Sequence, residues 1–178
     1  MNKPESLRSH LMAAVPELRH NPDRLLIFID QGKVRCTAAK SLSFEYGYNL
    51  QIILTDFAGH PDAVMLPLLA WVRTNQSELM VNLDKSAEGI QFEVDILDHS
   101  KVDMAITLPL TERVIVKRQN NGTYSIEHAG EPQYTEAEAA GTYQVYAGGE
   151  LLAEWQTPDG SETLALETPP MPKRSSQP

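Results

Sequence analysis

Four carboxylates crowd one stretch of the chain, Glu93, Asp95, Asp98 and Asp103, with His99 among them. Paired carboxylates can hold a divalent cation through oxygen ligands, or divide general acid and general base work between them. Glu93 and Asp95, however, alternate with Phe92, Val94 and Ile96, which puts them on the polar face of a strand, where solvent-facing or subunit-facing charge ordinarily sits. A second candidate, Asp56-Phe57-Ala58-Gly59-His60-Pro61-Asp62, sets a histidine beside acids, but Gly59 and Asp62 read as turn and first-turn helix residues. The histidines His10, His20, His60, His99 and His128 are dispersed, and none forms a pair at metal-ligand spacing. Gly148-Gly149 lacks the lysine and the helix of a phosphate loop and reads as turn chemistry. Cys36 is the only cysteine, so neither an internal disulfide nor a cysteine-cluster zinc site is available, and the thiol is expected half-buried in packing. No catalytic residue, metal or cofactor is assigned, and the chain is expected not to be an enzyme. A small metal-dependent hydrolase using Glu93, Asp95, Asp98 and His99 is the competing reading.

The elements that must position these residues follow from periodicity. Leu7, Leu11, Val15 and Leu18 recur at helical spacing after Pro4, and Pro16 ends that helix near Val15. Residues 25–29 form a short apolar run that reads as a strand buried on both faces and closed by Gln31-Gly32-Lys33. The clearest signal is Leu42, Phe44, Tyr46, Tyr48, Leu50, Ile52 and Leu54 alternating with Ser43, Glu45, Gly47, Asn49, Gln51, Ile53 and Thr55. Such alternation means one long strand, roughly 40 Å end to end at about 3.3 Å per residue, with Gly47 as the expected bend or bulge. Residues 61–75 switch to helical spacing, with Val64, Leu68, Trp71, Met65, Leu69 and Val72 as the buried stripe and Pro67 as a kink. Residues 90–96 and 102–108 read as a hairpin across the polar link 98–101, and residues 112–119 and 123–126 as a second pair around Asn120-Asn121-Gly122. The implied fold class is α+β, a mixed and mainly antiparallel sheet with helices packed on one face.

Composition bounds the function further. The 178 residues carry a net charge of −9, of which residues 131–178 supply −6. The densest basic group is only Arg113, Lys117 and Arg118, too few to neutralise a long run of phosphates, so direct sequence-specific nucleic-acid binding is not expected. The longest apolar run, residues 63–72, is about half of the roughly 18 residues a membrane span needs, and the N-terminus lacks an apolar signal-peptide core. Three regions are therefore expected. Residues 1–130 form an α+β domain, residues 131–167 an acidic appendage that contains a small hairpin around Gly148-Gly149, and residues 168–178 a disordered tail.

Several runs carry a resemblance. Asn21-Pro22-Asp23-Arg24-Leu25, the stretch from Ser41 to Tyr46 and on to His60, residues 65–76, Phe92-Glu93-Val94-Asp95 and residues 108–113 resemble the tail completion protein R family of temperate contractile-tailed bacteriophages and their prophages. The likeness covers residues 1–118 and is not seen after residue 130. It implies a tail-terminator-like fold and a structural protein of the virion tail, assembled in the bacterial host cytoplasm. In that role it completes the tail at its head-proximal end as a ring, expected to be a hexamer. Its implied partners are further copies of itself, the tail tube protein and the neck proteins that join head to tail. A neck or baseplate component of the same phage is the alternative within that context. The polar strand face, Ser43, Glu45, Asn49 and Gln51, with the edge carboxylates Glu93 and Asp95, is the expected subunit or partner interface.

Overall fold

The computed structural model describes residues 1–36, 41–82, 89–97, 101–132 and 139–158. Helices α1 (Lys3–Ala14) and α2 (Pro16–His20) and a 3-10 turn (Pro22–Arg24) lead into strand β1 (Leu25–Cys36). Strand β2 (Phe44–Phe57), helices α3 (Asp62–Asn75) and α4 (Glu78–Val81), then strands β3 (Gln91–Ile96), β4 (Val102–Arg118) and β5 (Tyr124–His128) follow. A separate hairpin, β6 (Gly141–Ala147) and β7 (Glu150–Thr157), comes last. The main sheet has the order β1-β2-β4-β3, with β5 continuing the β3 side of β4. Every pairing among the described strands is antiparallel, and the class is α+β.

One face of the sheet holds the core. Tyr48, Leu50, Ile52 and Leu54 on β2 lie beside Leu110, Leu108, Ile106 and Met104 on β4, and all are buried together with Leu7, Leu11 and Leu18 below and Val64, Leu68 and Trp71 of α3. The helices bury this face because each presents one apolar stripe at helical spacing. Val15, extended before Pro16, ends α1, and Pro16 starts α2 where its missing N–H costs nothing. α3 continues through Pro67, which is buried, whereas Leu69 is exposed. The stripe therefore runs through the proline and leaves out Leu69.

Four further expectations change. β1 is twelve residues long and mostly exposed, with Leu26, Phe28, Ile29 and Val34 open to solvent, because it lies at the sheet edge with β2 as its only partner among the described strands. An apolar run cannot distinguish a central strand from an edge one by periodicity alone. Cys36, at its end, is exposed rather than half-buried. Gly47 is not the bulge: β2 pairs with β4 without interruption from Phe44 to Leu54, and the extra residue lies in β1, between Asp30 and Lys33. There Gln31 adopts φ 51°, and the absent side chain of Gly47 makes room for Lys33, whose Cε would lie 3.1 Å from a Cβ. A matching bulge in β2 follows Leu54, with Asp56 also at φ 51° and its N–H donating to Asp103 Oδ1 at 2.8 Å. Finally, residues 102–118 make one strand instead of two. Pro109 falls where β4 is paired with β2 alone, the kind of position in which a strand tolerates proline.

The terminal hairpin turns at Gly148 and Gly149, both at positive φ (59° and 88°) as a tight primed turn requires. β7 contacts α1 and α3, with Ala153 fully buried and Leu152 and Trp155 packed against the core. A charge cannot be accommodated at such a contact without partners. Ala153→Asp is therefore expected to destabilise the chain by about 2 kcal/mol or more in urea unfolding, while Glu150→Ala at the exposed strand start stays within about 0.5 kcal/mol.

Candidate functional site

Among the described residues the sheet face opposite the helices is uncovered, and its antiparallel register sets side chains in rows across the strands. Leu26, Ile53, Ala105 and Glu93 form one row, and Phe28, Gln51, Thr107 and Gln91 the next. Asp30, Asn49 and Pro109 come third, and Arg35, Glu45 and Arg113 lie toward the far end. Five of the six expected interface residues therefore share this face. Gln51 and Glu93 line one shallow depression of about 200 Å³ together with Ile53, Gln91, Ala105 and Thr107. Asp95 stands opposite Asp103 at the β3 edge. Glu45 accepts from Arg35 Nη2 at 2.6 Å, and Asn49 Nδ2 donates to Gln31 Oε1 at 3.2 Å. Ser43 differs, because its Oγ accepts the Val116 N–H at 3.0 Å and is used inside the sheet.

The face is charged unevenly along the strands. At the β3 end stand Glu93, Asp95 and Asp103, and toward the other end Lys33, Arg35, Arg113 and Lys117 gather around Glu45 and Glu127. Lys117 pairs with Glu127 at 2.9 Å, and Arg113 donates to the Gly130 carbonyl, which ties two of the basic trio of the sequence to local partners. Arg118 of that trio lies on the opposite face by strand alternation. Among the described residues no group of three or more His, Cys, Asp or Glu side chains could hold a metal ion. Asp98 and His99 lie outside the described residues. His60 serves locally: its Nδ1 accepts the Asp62 N–H at 3.2 Å at the start of α3.

The other polar assembly is buried and was not anticipated. Glu112, only 4% exposed, sits on the core face of β4. Its Oε2 accepts the backbone N–H of Asn2 at 2.7 Å, and its Oε1 accepts the hydroxyl of Tyr48 and, more weakly, the Lys3 N–H. His128 Nδ1 lies 3.2 Å from Oε2. Lys3 Nζ in turn donates to Gln76 Oε1, the Thr111 carbonyl and Glu131 Oε1 at 2.7–2.8 Å. Helix α1 has no side-chain cap of its own, so a carboxylate from the sheet supplies the acceptor that its first N–H groups need. Burial alone raises a carboxyl pKa, but here the hydroxyl of Tyr48, the N–H groups of Asn2 and Lys3 and the terminal ammonium outweigh it and hold Glu112 below its ordinary range. Burial, reinforced by the Glu112 hydrogen bond and charge, raises the Tyr48 hydroxyl. Burial lowers Lys3 despite the pull of Glu131 and Glu112. A sequence signal for this cluster did exist, because Glu112 continues the alternation of Met104, Ile106, Leu108 and Leu110 and thus takes a core position.

With the geometry in place, comparison with known proteins decides the family. The family model for P2 phage tail completion protein R (GpR) matches residues 1–132. The chain belongs to this family. Tail completion protein R of Escherichia phage P2 is 41% identical over 155 residues, covering 87% of this chain and 99% of that protein. No solved structure matches. An alignment of 155 residues cannot fit within 1–132, so the GpR likeness extends past residue 130, further than the motifs indicate, toward the β6–β7 hairpin. As a GpR member the chain is a structural protein of the phage tail. Among the described residues one sheet face and the edges of its two outer strands are left open, while the Glu112 cluster fixes the helices on the other side.

Glu112 links pH to stability with a definite sign. Its folded pKa lies below the unfolded value, so its contribution is present above about pH 4.5 and is lost as pH falls through the depressed folded value. Glu112→Gln is expected to lose about 2–3 kcal/mol near neutral pH. Urea midpoints measured down to acid pH should show the variant and the parent chain converging.

Proposed function

We propose that the chain finishes the tail at its head-proximal end as a closed, non-enzymatic ring, formed by about six copies, that covers the last ring of tube subunits and presents a new surface to the neck. The observation that carries this reading is the match to tail completion protein R of phage P2 along 99% of that protein's length. The mechanism is geometric. A cyclic ring satisfies its own head-to-tail contacts and leaves no identical site at which another tube subunit can add, so growth stops where the ring sits. A sheet with helices on one side suits this role, because the helical side stabilises the subunit while the open side and the strand edges remain available for contacts.

Glu45, Asn49, Gln51, Glu93 and Asp95 are the proposed contact residues toward neighbouring copies or the tube. Ser43 has its hydroxyl engaged within the sheet, so its part in the interface is confined to its backbone position. The tail tube protein below and the neck proteins above are the proposed partners, with assembly in the host cytoplasm before the tail joins a filled head. The acidic residues 131–167 would keep free subunits soluble until they assemble.

Two measurements test the reading. Light scattering of the purified full-length chain, alone and with tail tubes, is expected to give a mass of about six copies, either free or on tube ends. Removing the gene from its phage is expected to leave tails of irregular length that do not join heads. Tails of normal length that still join heads would overturn the proposal.

A further inference from the structure

The outer edges of β1 and β3 have no strand partner among the described residues. The sheet between them contains four strands that alternate in direction, β1-β2-β4-β3, all antiparallel. An even number has a geometric consequence: β3 runs opposite to β1, so a second copy in the same orientation meets the β3 edge with its own β1 already antiparallel. No inversion of the subunit is needed, and the sheet can continue from copy to copy.

The two edges also carry opposite charge on the same face. Glu93 and Asp95, spaced by two on β3, share the open face with Lys33 and Arg35, spaced by two on residues 33–36 of β1. Glu93, Asp95 and Lys33 have no ion-pair partner among the described residues, and the Arg35 side chain is 78% exposed beside Glu45. On the opposite face the same strand halves expose apolar surface: Val34 and Phe92 are each 62% exposed, Ile96 79%, and Cys36 is exposed as well. Because Glu93 stands in the row of Leu26 and not in that of Arg35, the second copy must also be displaced along the strands; an antiparallel register that then sets Lys33 beside Asp95 and Arg35 beside Glu93 also sets Val34 beside Val94 and Cys36 beside Phe92.

We infer that copies of this chain join edge to edge, residues 33–36 of β1 on one copy pairing with β3 of the next. The inference rests on the ring reading above and names the contact that closes it. Charged side chains and a bulge ordinarily protect an edge strand from indiscriminate pairing. Here they select the partner, because β1 against β1 brings Lys33 toward Arg35, β3 against β3 brings carboxylates together, and only β1 against β3 attracts. A contact between two different edges is heterologous, so it propagates from copy to copy until rotation closes it and does not stop at a two-fold dimer.

The test uses the full-length chain and two charge-reversed variants, one carrying Glu93→Lys and Asp95→Lys, the other Lys33→Glu and Arg35→Glu, each checked for its fold by circular dichroism. The parent chain is expected to assemble, each variant alone to run at the 19.8 kDa of one copy, and an equal mixture of the two to recover the parent mass by light scattering. Under mild oxidation, Phe92→Cys should yield a ladder of covalent multimers through Cys36, and adding Cys36→Ser should remove the ladder. A parent chain that stays at the mass of one copy at every concentration, both free and with tail tubes, overturns the inference, as does a mixture that fails to reassociate under the conditions in which the parent assembles. Variants that assemble like the parent, with no ladder, overturn edge pairing but leave the ring reading standing. If the edges pair as stated while tails lacking the protein keep normal length, the tail-end reading alone falls.

Discussion

The carboxylate of Glu112 is the point on which the arrangement of this subunit turns. It lies on the core face of the longest described strand, 4% exposed, and its oxygens receive the backbone N–H of Asn2 and the hydroxyl of Tyr48. A buried acid is tolerable only when such donors surround it, because the loss of hydration must be offset by hydrogen bonds to the ionised form. The geometry that satisfies Glu112 also brings Lys3 against Gln76, the Thr111 carbonyl and Glu131, which ties the start of α1 to the end of α3 and to the segment that leads away from the sheet. The helical layer is thereby fixed in direction by polar contacts at one end and held by apolar burial along its length.

From this follows the sidedness of the molecule. Helices α1 and α3 cover one face of the sheet, and the β6–β7 hairpin packs onto those helices through Ala153 and Trp155. The opposite face and both outer strands are left without cover among the described residues. In an isolated subunit, exposed edge strands are a liability, since their unpaired backbone groups can template association. In a protein of the phage tail, whose work is done in contact with other subunits, the same edges are where assembly is expected to act. The bulge at Gln31 interrupts the β1–β2 ladder and separates the half of β1 that borders the core from the half that projects beyond it, while the bulge at Asp56, also at φ 51°, lies in the pairing of β2 with β4.

The legible part of this structure was the part that periodicity controls. Alternation from Leu42 to Leu54 gave β2 and its buried face, helical spacing gave α1 and α3, and the glycine turns at Gly122 and Gly148-Gly149 were readable from residue type. Glu93 and Asp95 were placed on an outward strand face by the same reasoning. What misled was the apolar run of β1, since Leu26 and Phe28 look like core residues until the strand order puts them at an edge facing the open side. Residues 102–108 and 112–119 read as two strands but form one, Pro109 being accommodated where β4 is paired on one side only.

The amino-acid sequence by itself determined the local elements, the polarity of their faces and, through its motifs, the family, because these depend on residue spacing and on residues a few positions apart. Strand order, the partners of Glu112 and the choice of which strands stand at the edges were decided by tertiary structure alone. Those features join residues about a hundred positions apart, as between Asn2 and Glu112, and no local pattern records which of several apolar strands will lie in the middle of a sheet. Burial against the helices settles that choice, and with it which faces and edges remain free to meet another subunit.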